Sequence, residues 1–296
     1  MEAVRQRTVE APVEFAGVGL HSGADCRVIV RAAPANHGIF FRCMDAKRPN
    51  NLIAASPDNV ILTDHGTSIS NGEGASVSTV EHLMAALALV GVDNAVIDVF
   101  GPETPILDGS AALFVRGISD AGTRVQAAAR REIIIDETLS VCDGDRAIIV
   151  EPFDGFSLDV AIEFEDCLIG RQSLSLHLDQ PCDKARLAKS RTFCRLREVE
   201  SLRNAGLIRG GSLENSIVVD GDRLLNPDDL RDPEEFVLHK GLDLLGDLYL
   251  LGAPIRGSIR AAKPGHALNT LFALKLARHF SLSMPEEDQG ELLATA

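Results

Sequence analysis

The chain has no tryptophan and a single tyrosine among its 296 residues. A core without large amphipathic rings must be built from Leu, Ile, Val, Ala and the 12 phenylalanines. Hydrophobic residues at 45% and charged residues at 24% supply it in globular proportion. The length suits two domains of ordinary size or one large one. Positive charge is also in deficit: 29 Lys and Arg stand against 43 Asp and Glu, a formal net charge of −14. That balance argues against nucleic acid or an anionic membrane surface as the main partner. A small anionic substrate stays open, because a few local Lys or Arg residues override the global field. No apolar run is long enough to span a bilayer, and Met1-Glu-Ala-Val-Arg-Gln-Arg7 lacks the apolar core of a signal peptide. A cytosolic (cytoplasmic) protein is therefore expected. The six cysteines include no C-x-x-C pair and no regular spacing, so free thiols in a reducing compartment are expected. His-Glu-x-x-His is absent too, which argues against a peptidase of that type.

Short strands alternate with turns in the first part of the chain, at residues 6–15, 26–31, 38–42 and 60–69, with Asn71-Gly72 as a turn signal. Helices follow at 78–90, closed by Gly91, and at 110–121, closed by Gly122, with a strand at 95–100 between them. Residues 123–131, small, polar and basic, read as a linker. The pattern then restarts, with strands at 132–139, 146–151, 156–164 and 173–178 and a helical stretch around 199–204. Asp220-Gly221-Asp222 marks a hairpin between 216–219 and 223–225. A helix at 233–251, a strand at 256–261 and a helix at 267–280 complete it. Strands leading into two helices, twice over, predict an α+β fold of two similar domains, each a mainly antiparallel sheet plus two helices. The expected limits are 1–126 and 127–282. Residues 283–296 form an acidic tail without a periodic core pattern, expected to be mobile and a handle for proteolysis. No residue-level repeat is visible.

The chemistry concentrates in two places. Phe236–Leu251 is almost wholly apolar except for His239, Lys240, Asp243 and Asp247. Asp232-Pro233-Glu234-Glu235 reads as its helix start and Gly252 as its stop. On a helix His239, Asp243 and Asp247 line one face, and an imidazole and a carboxylate one turn apart can close on one metal ion. A solvated helix face has the same spacing, but the surrounding leucines leave only a narrow polar stripe here. The other place is Ser78-Thr-Val-Glu-His82. Its bland reading is a capping box, Glu81 bonding back to the Ser78 amide. Its functional reading makes His82 a metal ligand and Glu81 a general base. His82, His239 and Asp243 together make a three-ligand set that leaves a position for water. Lys263-Pro-Gly-His266 places an imidazole at a helix start, suited to developing negative charge or simply an exposed loop residue. Asp247 could orient that ring. Ser190-Arg191-Thr192-Phe193 adds a hydroxyl, a cation and a ring. The other histidines, His21, His37, His65, His177 and His279, have no partner at ligand spacing and read as core or surface residues.

Taken in order, seven stretches resemble the UDP-3-O-acyl-N-acetylglucosamine deacetylases, zinc amidases of lipid A biosynthesis in Gram-negative bacteria. They are Gly17-Val-Gly-Leu-His-Ser-Gly23, Ser78-Thr-Val-Glu-His-Leu-Met-Ala-Ala-Leu87, Thr104-Pro-Ile-Leu-Asp-Gly-Ser-Ala111, Arg191-Thr-Phe193, Gly210-Gly-Ser212, His239-Lys-Gly-Leu-Asp-Leu-Leu-Gly-Asp247 and Gly265-His-Ala-Leu-Asn269. The resemblance implies Zn2+ on His82, His239 and Asp243, with Glu81 as general base. It implies His266 as a cationic acid or oxyanion stabiliser oriented by Asp247, and Thr192 polarising the amide carbonyl. Lys240 and Phe193 would contact the sugar nucleotide, with Lys263 near the diphosphate. It implies helices sandwiched between the two sheets, the site at the domain junction, and an apolar passage for the acyl chain within about 206–226. Three positions depart from the family pattern. Cys194-Arg195 follow Phe193 where Gly and an aromatic are usual, and Pro264 stands where a small polar residue is common.

The activity so implied is hydrolysis of the N-acetyl group of an acylated UDP-N-acetylglucosamine, by a monomer that nears the membrane surface transiently through the acyl chain of its substrate. Two rivals stand beside it: a zinc hydrolase of the same fold acting on a different acylated amide, and a catalytically silent sugar-nucleotide- or lipid-binding protein.

Overall fold

A computed structural model describes residues 4–45, 50–165 and 167–282; the tail at 283–296, with the mobility and proteolysis expected of it, lies outside the described residues. The first sheet takes five strands, in spatial order Val13–Val18, Asp25–Ala32, Ala95–Phe100, Ile39–Cys43 and Leu52–Ala54. All pair antiparallel except Ile39–Cys43 with Ala95–Phe100. Within Asp25–Ala32, Cys26, Val28 and Val30 face the core while Arg27, Ile29 and Arg31 face outward, the period-two alternation of a half-buried strand. The second sheet runs Leu139–Asp143, Arg146–Glu151, Ile255–Ala262, Phe156–Phe164 and Gly170–His177, with Ile133–Ile134 pairing parallel to Ile255–Ala262. It too is mainly antiparallel. The α+β architecture read from the sequence is the one the chain adopts.

Six helices are present among the described residues: α1 (Glu81–Val90), α2 (Ala112–Ala121), α3 (Pro181–Lys189), α4 (Leu196–Asn204), α5 (Glu235–Tyr249) and α6 (His266–His279). Buried residues surround α1 and α5 on nearly every side, and a helix apolar all round belongs in the interior. The two pack on each other. Contacts continue from α1 to α2 and from α2 to the first sheet, where Phe15 and Phe114 meet edge to face at 4.8 Å. From α5 they continue to α6 and the second sheet. No helix among the described residues is long and apolar enough to cross a membrane. All six cysteines are free.

Local signals erred where distant partners decide. The stretch read as a linker is a strand, Thr123–Ala129, paired antiparallel with Arg5–Val9; it has no apolar alternation, and its hydrogen bonds go to the far end of the chain. The strand expected over 6–15 is broken ahead of Val13, next to Pro12, which has no N–H to give to a ladder. Helix α3 was not foreseen, although Pro181 at its first turn is a favoured start. The Ser78 capping box does not form. The Ser78 amide donates to the Pro102 carbonyl at 3.1 Å, Thr79 takes a left-handed φ of 57°, and α1 starts only at Glu81. Helix α5 begins at Glu235 rather than 233, with Asp232 accepting the Glu234 amide in the turn ahead of it.

Candidate metal centre and active site

Helices α1 and α5 come close at Gly246, where a Cβ would stand 2.0 Å from the Glu81 carbonyl oxygen. This glycine is required by the close approach of two backbones, which brings the start of α1 against the polar stripe of α5. His82, His239 and Asp243 are all buried, and their ligand atoms lie within 4.8 Å of one another. Asp243 Oδ1 is 3.3 Å from His239 Nε2 and 3.7 Å from His82 Nε2. Two donors each 2.0–2.1 Å from a shared tetrahedral zinc lie about 3.4 Å apart, so the spacing suits such an ion. The His239 Nδ1–H donates to the Ser190 carbonyl at 3.1 Å, leaving Nε2 with its lone pair toward the cluster. The residues present fit a zinc ion.

The charge states agree. Burial pushes His239 down to about 3, only partly offset by Asp243. Burial works against the Asp243 charge, but His239, Lys240, His82 and His266 outweigh it and hold the carboxyl well below its usual range. A neutral imidazole and an ionised carboxylate are the forms in which these side chains ligate metals.

Beside this cluster sits a second set. Burial raises the Glu81 carboxyl above its ordinary value, against the pull of His266 and His82. Its Oε2 accepts from the Thr67 amide at 3.0 Å. His266 Nδ1 lies 2.9 Å from Asp247 Oδ2, which also accepts from Asn269 Nδ2 at 2.8 Å. Burial disfavours the His266 cation, but Asp247, then Asp243 and Glu81, reverse this and push it up to about 9. The structure thus brings together Asp247 and His266, both singled out in the sequence. Such a site holds a buried carboxylate of raised basicity and a buried cationic imidazole beside the His82, His239 and Asp243 cluster.

These groups open into a cavity of about 580 Å³ that Thr192, Phe193 and Lys240 also line. Apolar lining comes from Leu196, Val199, Leu202, Ile208, Val218 and Leu225, on α4 and on the expected insert. Ile217–Asp220 and Arg223–Leu224 form a hairpin there, and Phe193–Arg195 pairs parallel with its first strand. A family model described as UDP-3-O-acyl N-acetylglycosamine deacetylase matches residues 6–278. The chain belongs to this deacetylase family. A UDP-3-O-acyl-N-acetylglucosamine deacetylase of Phenylobacterium zucineum (strain HLK1) is 50% identical over 272 residues, 92% of this chain and 93% of the relative. The enzyme of the same name from Anaeromyxobacter sp. (strain Fw109-5) is 45% identical over 92% of this chain and 88% of its own length. A third, from Myxococcus xanthus (strain DK1622), is 46% identical over 89% and 83%.

Not every residue singled out in this deacetylase-family sequence reaches the cavity. Lys263 is absent from the lining and is held by Asp145 at 2.5 Å and Glu163 at 2.7 Å. Arg146, whose Nε donates to the Lys263 carbonyl at 3.2 Å, lines the cavity instead. Lys240 does line it, with Nζ 2.8 Å from Asp243 Oδ2 and 5.6 Å from the Phe193 ring centroid. The Arg191 cation is buried against Glu235, at 2.9 Å, and serves the fold. Of the three residues that depart from the family pattern, Cys194 lines the cavity, while Arg195, paired with Glu198, and Pro264 do not. Sequence reasoning missed His21 and His65, joined by a 3.0 Å bond from His21 Nε2 to the His65 carbonyl, and both line the cavity. It also missed Glu103. That buried carboxylate accepts from the His21 and Ser22 amides, the Ser22 hydroxyl and the Thr79 hydroxyl, fixing the turn just before α1. The Gly17–Gly23 motif was the available pointer to His21; for Glu103 no local signal exists.

Proposed function

We propose that the chain is a zinc-dependent amidohydrolase that removes the N-acetyl group from UDP-3-O-(3-hydroxyacyl)-N-acetylglucosamine, releasing acetate and the free amine. The observation that carries this reading is the convergence of His82, His239 and Asp243 with Glu81 on a cavity that continues into apolar lining. His82, His239 and Asp243 would hold the zinc ion, which would supply Lewis-acid chemistry toward a water and the amide carbonyl. Glu81, poised by burial as a base, takes the water proton through Oε1, to which no described residue donates. His266, kept cationic by Asp247, donates toward the oxyanion as negative charge develops, and Thr192 polarises the same carbonyl. As Glu81 takes that proton, the water oxygen adds to the amide carbonyl carbon; the C–N bond then breaks, acetate is left on one side, and the amine leaves with a proton from His266 or Glu81.

Lys240 and Phe193 face the sugar nucleotide in this reading. Arg146, which lines the cavity, joins Lys263 as a candidate counter-charge for the diphosphate. The apolar lining from α4 and residues 206–226 receives the acyl chain. A division into domains near residue 126, a cytoplasmic monomer and a place in Gram-negative lipid A biosynthesis belong to the same proposal. The strand partition between the sheets supports the first of these. Acetate release from the acylated sugar nucleotide, compared with UDP-N-acetylglucosamine lacking the acyl chain, tests it. Strong preference for the acylated compound is expected; equal turnover of both, or none of either, would reject the substrate.

A further inference from the structure

Thr67 has no role in the reading above, yet it touches both of its proton-handling groups. The residue is fully buried. Its amide donates to Glu81 Oε2 at 3.0 Å, while its carbonyl accepts from the Val80 amide at 3.1 Å and clamps the chain immediately before Glu81. Its hydroxyl is 2.5 Å from Asp247 Oδ1 and 3.2 Å from His266 Nδ1. A threonine hydroxyl has one proton to give and lone pairs to receive. Asp247, an acceptor, takes that proton, so the hydroxyl faces His266 Nδ1 as an acceptor. Both neighbours of Nδ1, the Thr67 oxygen and Asp247 Oδ2, then accept from it. The Nδ1–H is thereby fixed, and Nε2 is the nitrogen turned toward Asp243, at 3.8 Å.

We propose that Thr67 is a positioning residue of the deacetylation site, registering the Glu81 carboxylate and the Asp247–His266 pair against one another through a single side chain and its own amide. With Oε2 occupied by the amide, Oε1 is the oxygen left to take the proton. With Asp247 held at Oδ1, the imidazole keeps one orientation. The inference rests on the deacetylase reading and adds a residue to it.

The test compares Thr67→Val, which keeps the shape and loses the hydroxyl, with Thr67→Ser, which keeps the hydroxyl and loses the methyl. Parent acetate release is measured first, and its absence would count against the deacetylase reading, separately from this inference. Given an active parent, Thr67→Val is expected to lower kcat about 10- to 100-fold with KM unchanged, while Thr67→Ser stays within about threefold of the parent. A purely packing role reverses the order, with valine silent and serine impaired, and that result overturns the proposal. Should the valine variant fail to fold by thermal melting, Thr67→Ala against Thr67→Ser decides, since both lack the methyl. Equal kcat in those two overturns the proposal, and a selective loss in alanine supports it.

Discussion

Gly246→Ala probes the geometry on which the site depends. The added carbon would lie 2.0 Å from the Glu81 carbonyl oxygen and 2.8 Å from its carbonyl carbon. Carbon–carbon contact is comfortable only at about 3.5–4.0 Å, so α1 and α5 must part by roughly 1 Å. Overpacking of this kind costs about 1–3 kcal/mol. Alanine returns about 1 kcal/mol as the better helix former, so the net loss is at most about 2 kcal/mol and the fold survives. Activity should suffer far more, because Glu81 and His82 ride on α1 while His239 and Asp243 ride on α5. A 1 Å misplacement of reacting groups costs on the order of 10²-fold in rate. The assay is acetate release under saturating substrate, with a thermal melt beside it. Parent-like kcat in a folded Gly246→Ala protein would refute the claim that this contact sets the distance between base and metal ligands.

Three further outcomes follow from the same structure. Glu81→Gln keeps an oxygen for the Thr67 amide but loses its basicity, so kcat should fall by about 10²–10⁴-fold while metal content, read by elemental analysis, stays at the parent level. Arg191→Leu leaves Glu235, whose side chain is fully buried, without its cation; chemical denaturation should show a loss of about 3–5 kcal/mol, and a change under 1 kcal/mol would contradict a structural role for the pair. Arg186 binds Asp232 at 2.8 and 2.9 Å, and this hydrogen bonding holds the Asp232 carboxyl below the usual range. A depressed folded value contributes stability above the ordinary pKa of about 3.9, and that contribution is lost as pH falls through the depressed value. The Tm gap between parent and Arg186→Met should therefore be widest above the ordinary carboxylate range and narrow as pH falls through the depressed value, and a constant gap would speak against the linkage.

What could be read from the sequence was local. The His239, Asp243 and Asp247 stripe is a matter of helical spacing, and the uninterrupted leucines around it already implied burial. Glu81 shows the limit of such rules. Ser78 and Glu81 satisfy a local capping pattern, but Thr67 takes the Glu81 carboxylate and Pro102 takes the Ser78 amide. Lys263 read as a free counter-charge because Asp145 and Glu163, its partners, come from other parts of the second sheet. Thr67, His21, Glu103 and Arg146 lie on loops and strands where no periodicity distinguishes them. Only the tertiary fold gathers them around the cavity.

In the proposed reading His82, His239 and Asp243 hold a zinc ion used for amide hydrolysis. Acetate release from UDP-3-O-(3-hydroxyacyl)-N-acetylglucosamine should be followed for the purified full chain before chelation, after removal of metal, and after return of one equivalent of zinc. Turnover should vanish with the metal and return with zinc. Turnover unchanged in metal-free protein would contradict this reading.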